Sequence, residues 1–432
     1  MSYKYLEATD VTINRRSLLK CGVATAGLAA AGSLPLARGA RAQSKGPIKL
    51  GFISSLSGAQ APLGQPMLVG AQIAVDQINK TGGVSGRMFE LVVRDDLAKP
   101  ADGAVAAREL SAQGVNMQFG IVSSAVALAI SAILQQEKAI LITCAAHSDK
   151  LTKENFTRNY FRVTDNPYMR GRAMTKMLAE RYPKVTAWSG LIPDHEYGRT
   201  TWACFKEGLN EFYPQVTGSK PSIIEAIKTQ YGATDYRNNI VSAMSQPSEG
   251  YFVSVYGGDA VTLFQQASPY GFFRKAKVVA DSANEFIVAK AMKQNFPEMW
   301  VGAHWYAGAF ENVGLSRELF NEYLARTNDR FPTGFVSEAH AAVYAYAEAI
   351  KRSGSTETDA IIAAMEGLTW DTATGPRTFR KEDHQAIKPV VFYRLRGAAN
   401  ADGFEVIEFA TVPGESVIDE PTPGQPLKFR YS

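Results

Sequence analysis

The sequence predicts an α/β protein of two doubly wound lobes, each a parallel sheet wrapped by helices. Three observations carry this reading. Short apolar runs alternate with amphipathic stretches along most of the chain. The alternation restarts after residue 160, and no linker rich in Pro, Gly or Ser separates the two halves. Strands and helices alternating in this way build βαβ units, whose sheets are parallel and covered by helices on both faces.

The elements follow in order. IKLGFISSLSG (48–58) reads as a first strand, and Met67–Asn79 as an amphipathic helix that Gly82-Gly83 stops. FELVVRDD (89–96) is the next strand, followed by a helix near Ala101–Gln113 that ends at Gly114. VNMQFGIV (115–122) runs into the helical pattern SSAVALAISAILQQEK (123–138), and AILITCAA (139–146) is again a strand. After YFRVTDNP (160–167) comes a helix, then VTAWSGLIPD (185–194) as a strand and a helix near Arg199–Phe212. The strand SIIEAIKT (222–229) precedes a helix starting near Asp235. YFVSVYGG (251–258), AKVVADS (276–282) and WVGAHWYAGAF (300–310) are the following strands. A helix at 335–352, a shorter one at 357–366 and β-rich segments at 388–396 and 403–411 complete the chain.

The N-terminus reads as an export signal over residues 1–42. Arg15-Arg16, then Leu18-Leu19-Lys20, an almost uncharged run from Cys21 to Leu36 and the small-x-small site Ala40-Arg41-Ala42 resemble a twin-arginine signal. The apolar run is too short and too rich in Ala and Gly for a spanning helix, which needs about 20 strongly apolar residues. A periplasmic location is therefore expected. The remaining chain of about 390 residues exceeds what one core usually serves, consistent with two lobes. The net charge of +4 includes basic residues of the signal, so the exported part is near neutral, which argues against a nucleic-acid partner. Cys144 and Cys204 fall at a strand end and on a helix, and two free thiols are expected.

Ligands of open parallel sheets bind beyond the carboxyl ends of strands, beside helix N-termini. Ser123 and Ser124 stand at such a place, where hydroxyls and free N–H groups can hold a carboxylate. Ala145 and His147 follow the next strand, while Tyr197, Tyr256, Asp259 and Asp281 follow strands of the second half. Together they outline an interlobe cleft with hydroxyl and amide groups on one wall and aromatics and carboxylates on the other. Catalytic patterns are absent: no G-x-S-x-G, H-E-x-x-H, P-loop or G-x-G-x-x-G occurs, and the five histidines show no zinc spacing. No enzyme activity, cofactor or metal is expected. Asp95-Asp96 are adjacent on a strand and point to opposite faces, so they do not form a shared acid–base pair.

The ordered set LSG (56–58), GAQIAVDQIN (70–79), the GG-x-x-G turn (82–86), VVRDDLAKPADGA (92–104), ILIT (140–143), YG (197–198) and YGGD (256–259) resembles the substrate-binding proteins of branched-chain amino acid and amide ABC transporters. GPRTFRKEDHQA (375–386) resembles a C-terminal pattern of the same family. The resemblance implies the type I periplasmic binding fold, with a three-strand hinge. It implies an N-terminal lobe of 47–166 and 306–375 and a C-terminal lobe of 167–305 and 376–432. It further implies a monomer that delivers a small ligand to an inner-membrane permease.

Carried over onto this sequence, Ser124 would bind the ligand carboxylate. Ala145 and His147 would stand where the family uses a backbone carbonyl and a Thr, and Tyr197 would be a cleft aromatic. Asp259 or Asp281 would meet a ligand ammonium. The chain departs from the family at His147, at Leu63, where an aromatic is common, and at Leu97 and Ser123, where a disulfide is usual. An amino acid or amide is the expected ligand, with aromatic or keto acids as the alternative. A periplasmic sensor for a membrane receptor is the alternative role.

Overall fold

The structure, a computed structural model, describes residues 46–282 and 284–431. The export signal lies outside the described residues. The first half contains β1 (Ile48–Ser54), α1 (Ala61–Lys80), β2 (Phe89–Asp95), α2 (Pro100–Ala112), β3 (Met117–Gly120), α3 (Ser124–Ser131), β4 (Ile140–Thr143) and β5 (Tyr160–Arg162). The strands form one sheet in the order β2-β1-β3-β4-β5, every pair parallel.

Successive side chains of a strand point to opposite faces. In β1, Leu50 and Phe52 therefore enter a core with Met67 and Ala71 of α1, while Ile53 enters a second core with Leu110, Ile130 and Leu141. Both faces being buried explains why these strands read as continuous apolar runs. Gly70 permits a close backbone approach, because a Cβ there would stand 2.1 Å from the carbonyl oxygen of Val336.

The second half contains α4 (Pro167–Arg181), β6 (Ala187–Pro193), α5 (Glu196–Thr217), β7 (Ser222–Ile223), β8 (Ile227–Thr229), α6 (Arg237–Ser245), β9 (Gly250–Val253), α7 (Gly257–Ala267), α8 (Phe272–Lys275), β10 (Val278–Asp281), α9 (Ile287–Met292) and β11 (Met299–Ala303). The chain continues through α10 (Gly314–Thr327), α11 (Phe335–Ser353), α12 (Thr358–Met365), β12 (Thr369–Thr372), β13 (Gly375–Phe379), β14 (Ala386–Ile387), β15 (Val390–Gly397) and β16 (Phe404–Val412). A second sheet runs β16-β15-β11-β10-β9-β6-β7, with β8 also paired to β6. Its members from β6 to β11 are parallel and the last two strands antiparallel. Its faces bury Tyr251 and Val253 on one side and Trp188, Phe205 and Phe252 on the other, each worth about 1.5–3 kcal/mol of burial for a large apolar side chain.

The structure differs from the sequence reading in three places. The helix expected over 123–138 is α-helical only over Ser124–Ser131 and continues as turns. The strand expected over 300–310 ends at Ala303, where the chain leaves the sheet. A small antiparallel sheet, β12-β13-β14, was not foreseen. Its Phe379 and Ala386 join the same core as Leu50 and Tyr346. These residues were expected in the C-terminal lobe, beyond residue 375, whereas β15 pairs with β11 of the second sheet.

Candidate functional site

Each sheet reverses its strand order at one point. In the first sheet this lies between β1 and β3, in the second between β6 and β9. The segments leaving those strands carry the residues that line a cavity between the lobes: Leu63, Val122 and Ser124 from the first, Tyr197 and Tyr256 from the second. Ala145, His147 and Phe335 complete the lining. A cavity at both switch points is where an open α/β sheet holds its ligand. Its cavity volume is about 30 Å³.

Local backbone geometry sets the first wall. Ile121, a β-branched residue, is held at φ 62°, a strained conformation of the kind that concentrates at ligand sites. It turns the chain from β3 into α3, whose N-cap is Ser123. The Ser123 side chain makes no capping bond and does not line the cavity, whereas Ser124 is buried there. The Ser124 Oγ accepts the His147 backbone N–H at 3.1 Å. Its own proton is thereby left to be donated. His147 is buried, and burial, then the nearby Arg170 charge, lowers its pKa to about 3, so it meets a ligand as neutral imidazole.

The second wall is aromatic. Tyr197 and Tyr256 pack edge to face with centroids 5.2 Å apart, and Tyr197 donates to Ser282 Oγ at 3.2 Å. Gln60, which the sequence reading missed, closes the cleft from the first lobe. Its Nε2 donates to the hydroxyls of Tyr231 at 2.8 Å and Tyr256 at 3.1 Å. Further contacts join the loop after His147 to α5: Ser148 to Glu196 at 3.1 Å, Lys150 to Glu196 at 3.2 Å, and Cys204 Sγ to Asp149 at 3.3 Å.

Of the eight residues expected at the site, Ser124, Ala145, His147, Tyr197 and Tyr256 line one cavity. Asp259 and Asp281 do not. The Asp259 carboxylate accepts the Gly232 backbone N–H at 2.7 Å. Asp281 accepts the backbone N–H and the side-chain amide of Asn284 at 2.8 and 2.7 Å. Asn284 in turn holds Val255 and Gly257, which fixes the turn carrying Tyr256. Among the described residues no carboxylate lines the cavity. Asp95 and Asp96 serve different partners, the former Leu56 and Leu97 and the latter Ser55 and Ala98. Cys144 and Cys204 are free, buried thiols.

Beneath the cleft a buried ionic network ties the three interlobe passages together. Arg170 holds Asp165 of the first passage through two bonds of 2.8 and 2.9 Å. Lys388 of the third passage donates to Glu338 at 3.0 Å and to the His304 carbonyl of the second passage at 2.9 Å. Arg377 grips Glu338 at 2.5 and 3.1 Å and also donates to Val163.

Asp149, buried where the two lobes meet, has its pKa raised to about 7 by burial and by Asp419, with Arg162, the Cys204 contact and Lys153 acting in the opposite sense. It is protonated in the folded protein across the range in which the unfolded chain ionises it, from about pH 4 upward. Its contribution to stability is thus present at low pH and lost as pH rises toward 7. Asp149→Asn removes this penalty. The variant should gain about 2–4 kcal/mol over the wild type between pH 4.5 and 7.5, read from urea unfolding of both proteins. A constant difference across that range would contradict the assignment.

The family model described as "Periplasmic binding protein" matches residues 47–402. The chain belongs to the periplasmic binding protein family, and its relatives are substrate-binding proteins of branched-chain amino acid ABC transporters. It is 26% identical over 333 residues to the leucine-, isoleucine-, valine-, threonine- and alanine-binding protein of Pseudomonas aeruginosa, covering 76% of this chain and 84% of that one. The fold is similar to the closed conformation of the protein of that name from Brucella ovis, with TM-score 0.75, 19% identity and coverage of 89% and 100%. It is similar also to a solute-binding protein from Rhodopseudomonas palustris in complex with 3,4-dihydroxybenzoic acid, with TM-score 0.72, 20% identity and coverage of 87% and 99%. These likenesses establish the type I periplasmic binding fold. Among the described residues no helix is long and apolar enough to cross a membrane.

Proposed function

We propose that the protein captures a small carboxylic acid without an ammonium group, aromatic or keto, and presents it to an ABC permease. One observation carries the ligand class: the cavity wall offers hydroxyls, a neutral imidazole and aromatic faces, and no carboxylate among the described residues. An α-amino acid would bring an ammonium with no anion to meet it. The dihydroxybenzoate complex of the R. palustris protein demonstrates that the fold accepts an aromatic acid. The amino-acid-binding name of the P. aeruginosa relative supports the other reading.

In this reading Ser124 and the first N–H groups of α3 hold the carboxylate, with Ser123 as N-cap. Tyr197, Tyr256, Phe335 and Leu63 enclose the body of the ligand, and His147 and the Ala145 backbone meet its polar substituent. Asp259 and Asp281 act at one remove, fixing the segments that carry the second wall. The lobes turn about the passages at Val163–Asn166, His304–Gly334 and Lys388-Pro389, so ligand shifts an open–closed equilibrium by its greater affinity for the closed form. The protein works as a monomer, is exported by its twin-arginine signal to the periplasm, and performs no catalysis.

Ser124→Ala tests the carboxylate assignment. Losing a hydrogen bond to a charged group should weaken an acid ligand by about 1.5–3 kcal/mol, roughly 10- to 150-fold in dissociation constant. Unchanged affinity by calorimetric titration would remove Ser124 from the site.

A further inference from the structure

Three side chains from separate segments converge beside the cleft: His147 after β4, Asp165 in the first interlobe passage and His304 in the second. One donor atom of each lies within 4.8 Å of the other two, and all three residues are buried. The imidazole rings of His147 and His304 lie 5.1 Å apart at an interplanar angle of 30°. The Nε2 atoms of both are buried, and neither has a hydrogen-bond partner. Leaving two polar atoms unsatisfied side by side is costly, and native proteins rarely do so without a reason. His304 is also oriented from behind, because its Nδ1 lies 2.9 Å from Glu285 Oε1, which accepts the His304 backbone N–H as well. Glu285 is itself anchored by the Gly334 backbone N–H. A carboxylate behind an imidazole is the arrangement that fixes a metal-ligating histidine with its second nitrogen forward.

We propose that His147 Nε2, His304 Nε2 and an Asp165 oxygen form a site for one divalent transition-metal ion of the zinc, nickel or copper kind. Two imidazoles and one carboxylate suit these ions, whereas magnesium and calcium take sets of oxygen ligands. Three protein ligands leave an open coordination position, and His147 is shared with the cavity wall, so an ion held here would border the ligand cleft. Asp165 is not wholly free for this role. Arg170 bonds both its oxygens, and Lys388 lies 3.5 Å away. These cations oppose a further positive charge, while Glu338, paired with Lys388, offsets part of it. The three residues of the site are distant in sequence, which is why no zinc spacing announces it.

The test is calorimetric titration of tag-free, chelator-stripped protein with zinc, nickel and magnesium. The expected result is one zinc per chain, weakened at least tenfold by His304→Ala and by His147→Ala, with no saturable heat from magnesium. No saturable zinc binding, or binding unchanged in both variants, would overturn the site and leave a single water bridging the two nitrogens. A measurement on the wild type alone guards against misfolded variants. Paramagnetic resonance of the copper-loaded protein should show hyperfine splitting from two imidazole nitrogens, and a spectrum without both overturns the proposal. Neither experiment uses the cleft ligand, so the outcome is independent of the ligand class proposed above.

Discussion

Glu338→Gln should cost about 3–5 kcal/mol of folding stability, as expected when one member of a buried ion pair is neutralised and its partners stay charged. Glu338 is fully buried and receives both Arg377 and Lys388, of which Lys388 would keep only Asp165 at 3.5 Å, itself held by Arg170. Glutamine preserves the shape, so the loss reports charge and not a cavity. Urea unfolding measures it, and a loss below about 1 kcal/mol would show that the network does not depend on this carboxylate. Removing the pair together, Glu338→Leu with Arg377→Met, should recover part of the loss, because Arg377 is then no longer left buried without its anion and only Lys388, 3.5 Å from Asp165, loses a partner. The location matters as much as the magnitude. Asp165, the His304 carbonyl and Lys388 lie on the three different passages between the lobes, so the variant should also broaden the range of interlobe angles.

The second large effect concerns ligand choice, and how far it was legible in the sequence differs by element. Strand–helix rhythm is local, so the sheets and the helices around them follow from periodicity in residues such as Leu50, Phe52 and Met67. The switch-point rule then places Ser124, Tyr197 and Tyr256 at strand ends. The sheet formed by β12, β13 and β14 was hidden because its strands are two to five residues long and its segment is rich in Thr and Gly, like a loop.

Asp281 stands at a strand end, as expected, and its carboxylate bonds Asn284. Its bond to Asn284, three residues on, is a local pattern that D-S-A-N carries and that side-chain capping of a turn would have suggested. Gln60, Phe335 and the meeting of His147 with His304 depend on pairing between segments far apart in the chain. No single-sequence periodicity reports such a contact.

The absence of a lining carboxylate among the described residues converts directly into selectivity. Closing the cleft on an α-amino acid would strip water from an ammonium and leave it without an anion, a penalty of several kcal/mol even after relaxation. The same cavity offers a carboxylate the Ser124 hydroxyl and the N-terminus of α3, and offers the ligand body two tyrosine faces with Phe335 and Leu63. An acid and its amino counterpart of equal size therefore differ chiefly by the ammonium. A gap of at least ~100-fold, about 2.7 kcal/mol, is expected in favour of the acid.

The decisive measurement is calorimetric titration of protein unfolded and refolded to strip carried ligand, using matched pairs: 4-methyl-2-oxopentanoate against leucine, and 3-phenylpropanoate against phenylalanine, with benzoate alongside. Saturable binding of at least one acid, with its amino partner at least ~100-fold weaker, is the predicted result. Tighter binding of leucine or phenylalanine than of the matched acid would contradict it and return the ammonium-binding role to an acidic residue of the second lobe.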